Sequence, residues 1–271
     1  MMSLDFGLSP CEYATPDVDI RGLEATGPET LEELRDQTLL ALSERGFAVV
    51  SPVLDEGALE SEDVETVIHQ FAQLLGAKPL NNHHRGPVQL LTPVEGGSDR
   101  PVSDTRSQTP HTDGGYTDTA PDLLLFYVAT NGEDGGRSLL LPMDRVVRSL
   151  GEELVGATMT VARHETAPEV TKPFIDDSFD PPVVNAGGHE YNSHHLTLPD
   201  GEVIDQEDYL KMIIELLEPD DQYLFEPGTL VVVDNRQGAL HGRTEITNNP
   251  DNPRVLHRLW ARWGDGLQEE L

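Results

Sequence analysis

The chain has one cysteine, Cys11, among 271 residues, so it can form no intrachain disulfide. That excludes the disulfide-stapled secreted scaffolds and suits a reducing compartment. Basic residues are scarce as well. Eighteen Lys and Arg stand against 49 Asp and Glu, a formal net charge of -31, and the only lysines are Lys78, Lys172 and Lys211. A surface of that sign repels nucleic acid and anionic membranes, which excludes both as partners. The acidity suits a salt-rich cytoplasm, a high-GC genome, or simply solubility through self-repulsion. Long apolar runs are missing too: Leu123 to Ala129, among the longest, falls far short of a membrane span. The opening MMSLDFGLSP carries neither the basic nor the apolar region of a signal peptide. These absences together lead us to expect a cytoplasmic protein whose partner is a small molecule.

What is present has the composition of a globular chain, 37% hydrophobic and 25% charged, with 24 glycines and 20 prolines. Many turn residues suit many short strands. We expect a single domain over 1–271, with a helical N-terminal part at about 28–76 and a strand-rich body at about 86–263. The periodicity predicts helices over Pro28 to Arg45 and Ser61 to Leu75, each followed by a glycine. Between them, Phe47 to Val50 reads as a strand. Further strands are expected at Val88–Leu91, Leu123–Val128, Ser138–Leu141, Thr158–Ala162 and Leu230–Val233, and helices at Met143–Leu154 and Gln206–Leu217. The segment 163–204 reads as loop-rich. Helices first and strands after them point to an antiparallel sandwich or jelly roll buttressed by helices.

The chemistry begins at Thr109-Pro110-His111-Thr112-Asp113-Gly114-Gly115. In a strand, residues two apart face the same side, so His111 and Asp113 can aim an imidazole and a carboxylate at one point. A third ligand has to come from elsewhere. His241 qualifies: the apolar run Leu230–Val233 leads toward it, and Gly238 and Gly242 permit close backbone approach. Two histidines and one carboxylate on one face of a metal are the facial triad of non-haem iron(II) oxygenases. On its own, H-x-D is a common chance pattern, and a polar strand edge with an unrelated histidine explains it better. Thirteen residues past His241 stands Arg254, and strand alternation puts Leu256 and Arg258 on its face. A guanidinium pointing into a core needs an anion. A 2-oxo acid chelating the metal at one end would supply one; pairing with the chain's own acidic residues is the alternative.

Taken together, these residues resemble the taurine dioxygenase and clavaminate synthase superfamily of 2-oxoglutarate oxygenases. The family pattern is H-x-D, a Thr or Ser about 27 residues on, a distal His, and an Arg some 13 beyond it. Here His111-Thr112-Asp113 opens the pattern, and Ser138 follows Gly135-Gly136-Arg137 at the right distance. Asp234-Asn235-Arg236 leads to His241-Gly242-Arg243-Thr244, and Arg254 closes the pattern. The resemblance implies a mainly β fold with flanking helices, the double-stranded β-helix (jelly roll, cupin-like). It implies iron(II) on His111, Asp113 and His241, 2-oxoglutarate on Ser138 and Arg254, and O2 as oxidant. The expected reaction is hydroxylation of an unactivated C–H bond of a small amino-acid-like or carboxylate-bearing metabolite in secondary metabolism, releasing succinate and CO2. Asp113 argues against the related halogenases, which lack the carboxylate.

Arg258 takes a position that often meets an anionic group of the substrate, and His83, His84, Gln89 and Tyr116 are candidate walls of the substrate site. His164, His189, His194 and His195 read as surface or lid residues, and Trp260 and Trp263 as packing. Two other activities compete: a taurine or alkylsulfonate dioxygenase in sulfur scavenging, and a metal-dependent hydrolase, which leaves Arg254 and Ser138 unexplained. A non-catalytic jelly-roll binding module is the third rival. The oligomeric state, monomer or homodimer, stays open.

Overall fold

A computed structural model describes residues 28–50, 61–80, 88–93, 105–115, 120–132, 134–162, 169–187, 193–247 and 249–264. Its helices are α1 (Pro28–Arg45), α2 (Ser61–Leu74), α3 (Met143–Leu154) and α4 (Gln206–Glu215). The glycine expected to end α1 does so: Gly46 has φ +79° and its N–H donates to the Leu42 carbonyl.

A six-stranded sheet forms the larger layer, with β1 (Phe47–Val50), β15 (Leu230–Asp234), β5 (Leu123–Asn131), β18 (Arg254–Trp263) and β2 (Ala77–Pro79) in that order, and β3 (Val88–Leu91) also on β18. All its pairings are antiparallel. A four-stranded sheet faces it, in the order β14 (Gln222–Tyr223), β7 (Ser138–Pro142), β16 (Ala239–Arg243), β4 (Gln108–His111). The third sheet also has four strands, β13 (Val203–Ile204), β12 (Ser193–Thr197), β8 (Thr158–Ala162) and β9 (Val170–Pro173). Two ribbons complete the set, β6 (Asp134–Gly135) with β17 (Ile246–Thr247) and β10 (Ile175–Asp176) with β11 (Val183–Val184). The fold is thus mainly β, an antiparallel jelly roll with flanking helices.

The apolar run of β5 explains the layering. Leu123, Leu125 and Tyr127 point to one face, where they pack with Leu34 and Leu42 of α1 and Val64, Ile68 and Phe71 of α2. Leu124 and Val128 point to the other, against Leu140 of β7 and Ala239 of β16. A strand buried on both faces reads as continuous apolar sequence rather than alternation. A third cluster covers the back of the second sheet, where Leu139, Leu141 and Leu240 meet α3, α4 and Met159, Val161 and Leu196 of the third sheet.

The segment 163–204 departs from expectation. Its described residues carry β9 to β13, which complete the third sheet and one ribbon. These strands are two to five residues long and rich in polar residues, so no apolar periodicity marks them.

Candidate active site

The second sheet brings three potential ligands together. His241 on β16 lies opposite His111 on β4, so the imidazoles are a cross-strand pair with ring centroids 4.5 Å apart. Asp113 stands just past β4, its carboxylate oxygens 3.6 Å from His111 Nε2 and 3.8 Å from His241 Nε2. One ligand atom from each residue lies within 4.8 Å of the other two, and all three residues are buried. Gly242 permits this approach: a Cβ there would sit 2.4 Å from the Gln108 carbonyl of β4. Gly238 does the same against Gly46, whose Cα would be 2.5 Å from a Cβ.

Strand alternation does not place Asp113. The ladder ends at His111, and Asp113 to Gly115 form a turn with Gly114 at φ +67°. Two captures hold that turn. Thr112 leaves the second sheet to donate its N–H to Ala186 O (3.0 Å) and its hydroxyl to Val184 O (2.7 Å). Asn235, fully buried, accepts from Asp113 N–H and donates to the Asp113 and Pro121 carbonyls, each at 2.9 Å. Asn235 and Thr112 are therefore site residues that motif reading passed over. The Asp-Asn-Arg signature was the available signal, because a buried Asn must satisfy its amide somewhere.

The electrostatics suit a metal. His111 Nδ1 donates to Thr109 O at 2.9 Å, which leaves Nε2 with its lone pair toward Asp113. Burial and then the neighbouring His111 ring push His241 down to about 3, so it stays neutral. Burial alone would raise the Asp113 carboxyl. Arg258, then His241 and His111, outweigh it and hold the group well below the usual carboxylate range. Two imidazoles and one carboxylate are what a facial iron(II) site takes.

The second feature is a buried cation. Arg254, 8% exposed at the start of β18, is pushed down to about 9 by burial and by the neighbouring Arg243 guanidinium. No carboxylate pairs with it among the described residues. The chain makes room for it with Gly136, where φ is +65° and a Cβ would lie 2.5 Å from Arg254 Cδ. Ser138, two residues on, pairs with Arg243 across β7 and β16. A buried Arg254 guanidinium with no carboxylate beside it among the described residues calls for an anion such as a carboxylate, so the residues fit 2-oxoglutarate as they fit iron.

The expected substrate residues fare differently. Arg258 and Gln89 do not stand free for a substrate. Arg258 Nη1 donates to Asp113 Oδ2 and Nη2 to Gln89 Oε1, both at 2.7 Å. Cross-strand register forces this pairing, since Arg258 on β18 lies between Gln89 on β3 and Phe126 on β5. Trp260 is not mere packing either, for its Nε1 donates to the same Asp113 oxygen at 3.0 Å. His83, His84, Tyr116, His164 and His189 lie outside the described residues. His194, read as a surface or lid residue, is not at the surface: it is 2% exposed and lines the cleft.

That cleft, about 520 Å³, opens over Thr112 to Gly115. Its far wall is one face of the third sheet, where cross-strand register aligns Met159 with Lys172 and Val161 with both Val170 and His194. Gly187 leaves space for the His194 ring, which a Cβ there would meet at 3.2 Å.

Comparison with known proteins agrees with this geometry. The profile of the taurine catabolism dioxygenase TauD, TfdA family matches residues 7–260. No curated protein matches the sequence. Among solved structures the chain is similar to a non-haem iron oxygenase, OrfP, in complex with Fe and α-ketoglutaric acid (TM-score 0.63, 18% identity, 90% of this chain and 82% of that one). It is similar to an asparagine oxygenase in complex with Fe(II), 3-hydroxyasparagine and succinate (TM-score 0.62, 15% identity, 86% and 79%). PvcB of Pseudomonas aeruginosa gives TM-score 0.60 at 19% identity over 93% and 90%. By the family match over residues 7–260 the chain belongs to the TauD, TfdA family, and it is an iron(II)- and 2-oxoglutarate-dependent dioxygenase.

Proposed function

We propose that this dioxygenase hydroxylates a small, polar, amino-acid-like metabolite, and does so in a reducing, cytoplasmic setting. The observation that carries the reading is the pairing of the His111–Asp113–His241 cluster with an uncompensated buried Arg254 on the same sandwich. A metal-dependent hydrolase has no use for that cation. A binding module that had lost its metal would not keep all three ligands. Support for the substrate class comes from the cleft and from two of the similar structures. The cleft lining sets a few polar groups, Asn185 and His194 among them, in apolar surroundings, as a small polar ligand requires. The asparagine oxygenase holds 3-hydroxyasparagine, and OrfP has been solved with (3S)-hydroxy-L-Arg.

His111, Asp113 and His241 would hold iron(II), and Arg254 with Ser138 would hold the distal carboxylate of 2-oxoglutarate. Iron(II), 2-oxoglutarate and O2 together supply the oxidising chemistry that inserts oxygen into a C–H bond, with succinate and CO2 as co-products. The chain's own part is to orient and shield. Thr109 O fixes the His111 tautomer, Asn235 fixes the Asp113 backbone, and Phe126, 5.5 Å from the His241 ring, keeps water from that side. The third-sheet wall, apolar at Met159, Val161 and Val170 with Lys172 and His194 beside them, would position the substrate.

The test is succinate release by purified protein with iron(II), ascorbate and 2-oxoglutarate, run against a panel of free amino acids and simple sulfonates including taurine. An amino acid that raises succinate yield and gains one oxygen supports the reading. Stimulation by taurine alone replaces it with the alkylsulfonate alternative, and no succinate under any condition overturns it.

A further inference from the structure

We infer that Arg258 is a positioning residue for the metal-ligand carboxylate of Asp113, with Trp260 and Gln89 as its partners, and is not a receptor for an acidic group of the substrate. The inference rests on the metal reading of the His111–Asp113–His241 cluster.

Three observations carry it. First, Asp113 Oδ2 takes two N–H donors, Arg258 Nη1 at 2.7 Å and Trp260 Nε1 at 3.0 Å, while Oδ1 faces His111 Nε2 at 3.6 Å. Two donors on one oxygen fix the plane of the carboxylate, with Oδ1 on the His111 side and Oδ2 3.8 Å from His241 Nε2. Secondly, neither donor is free to move. Arg258 and Trp260 are two apart on β18 and share a face, and the guanidinium carbon lies 5.3 Å from the Trp260 ring centroid. Gln89 sits opposite Arg258 in register and takes its other terminal nitrogen at 2.7 Å. Phe126 closes the opposite side of the row. Thirdly, Arg258 is 8% exposed and its charge is already matched by the Asp113 carboxylate. A substrate anion placed there would compete with a buried ion pair, and breaking such a pair leaves a charge without its partner. The face of β18 that carries Arg258 and Trp260 therefore serves the metal.

The two roles for Arg258 separate without any knowledge of the substrate, because a positioning role acts when no substrate is present. The experiment is anaerobic titration of Co(II), as a spectroscopic stand-in for iron(II), into metal-free protein without 2-oxoglutarate. Wild type, Arg258→Lys, Arg258→Met, Trp260→Phe and His241→Ala are compared. Loss of an outer contact to a metal ligand weakens metal binding by about 10- to 100-fold. The expected order is wild type tightest, then Arg258→Lys, then Arg258→Met, with Trp260→Phe weakened by about tenfold and the Co(II) ligand-field bands shifted in each variant. Arg258→Met leaves a buried carboxylate unpaired, so its melting temperature is measured alongside. If it does not fold, Arg258→Lys and Trp260→Phe, which keep charge and bulk, decide the matter. Wild-type Co(II) affinity and an unchanged spectrum in those two variants overturn the inference and return Arg258 to the substrate. Wild-type binding no tighter than that of His241→Ala overturns the metal centre itself, a different result from a failure of Arg258 alone.

Discussion

Replacing Arg254 with methionine should move stability and cosubstrate affinity in opposite directions. The side chain is buried, its guanidinium faces another in Arg243, and no carboxylate pairs with it among the described residues. Burial puts its proton affinity at about 9, roughly 3.5 below an ordinary arginine (12.5 − 9), which corresponds to ~5 kcal/mol at ~1.4 kcal/mol per tenfold. The sign follows from linkage. The folded state binds this proton more weakly than the unfolded chain does, so the full cost applies below about 9, including neutral pH, and is relieved only as pH rises above that value. Structural relaxation and water entry take up part of it, so about 2 kcal/mol is a fair working figure. For a chain of this size that is about 4–8 °C in melting temperature. The ligand-free Arg254→Met protein should therefore melt several degrees above wild type by calorimetry. Its affinity for 2-oxoglutarate, by anaerobic titration of the iron(II) form, should fall at least about 30-fold, since losing one partner of a buried charge pair costs ~2–5 kcal/mol. A variant that melts below wild type and binds 2-oxoglutarate unchanged would refute the reasoning, because it would mean that Arg254 already has an anion in the protein.

Gly136→Ala should also weaken 2-oxoglutarate binding, because the new methyl overlaps Arg254 Cδ and the backbone sits at φ +65°, a strain of ~1–2 kcal/mol; titration and a lowered melting temperature check both parts. Asn235→Ala removes three hydrogen bonds around the Asp113 turn, so it should lose ~2–4 kcal/mol in urea unfolding at roughly 1 kcal/mol each and bind metal more weakly. His257, held below the usual histidine range by burial against a weaker opposing pull from Glu65, should add acid sensitivity. A base with a lowered folded pKa loses stability as pH falls below its unfolded value, so the drop in melting temperature from pH 7 to pH 5 should be smaller in His257→Gln.

Much of this was legible before any coordinates. The apolar runs at Leu123 and Leu230 announced strands buried on both faces, and Gly46 announced the end of α1, because those signals are local. The burial of Arg254 was legible from strand alternation, which turns it toward the core. What was not legible arises from pairing between distant strands. The sequence turns Arg258 and Gln89 toward a substrate, because nothing local reveals that β3 and β18 pair in a register that joins them. Trp260 read as packing because its indole N–H matters only once Asp113 is seen beneath it. The polar strands of 170–204 gave no periodic signal, since they are short and one of their faces lines a cleft rather than a core.

The β10–β11 ribbon and the residues after it grip the turn past β4 at Thr112, whose N–H and hydroxyl donate to Ala186 O and Val184 O and whose hydroxyl accepts from Ala186 N–H. On the proposed reading, the strands that would hold the metal and the wall that would position the substrate are different elements, joined at Thr112 and by the packing of Leu139, Leu141 and Leu240 on Met159, Val161 and Leu196. The cleft-facing residues of the third sheet would then be able to diverge, while its core-facing residues and β4, β16 and β18 stay as they are. A catalyst joined this way can acquire new substrates without rebuilding its chemistry, provided Thr112 and the carbonyls it grips stay where they are.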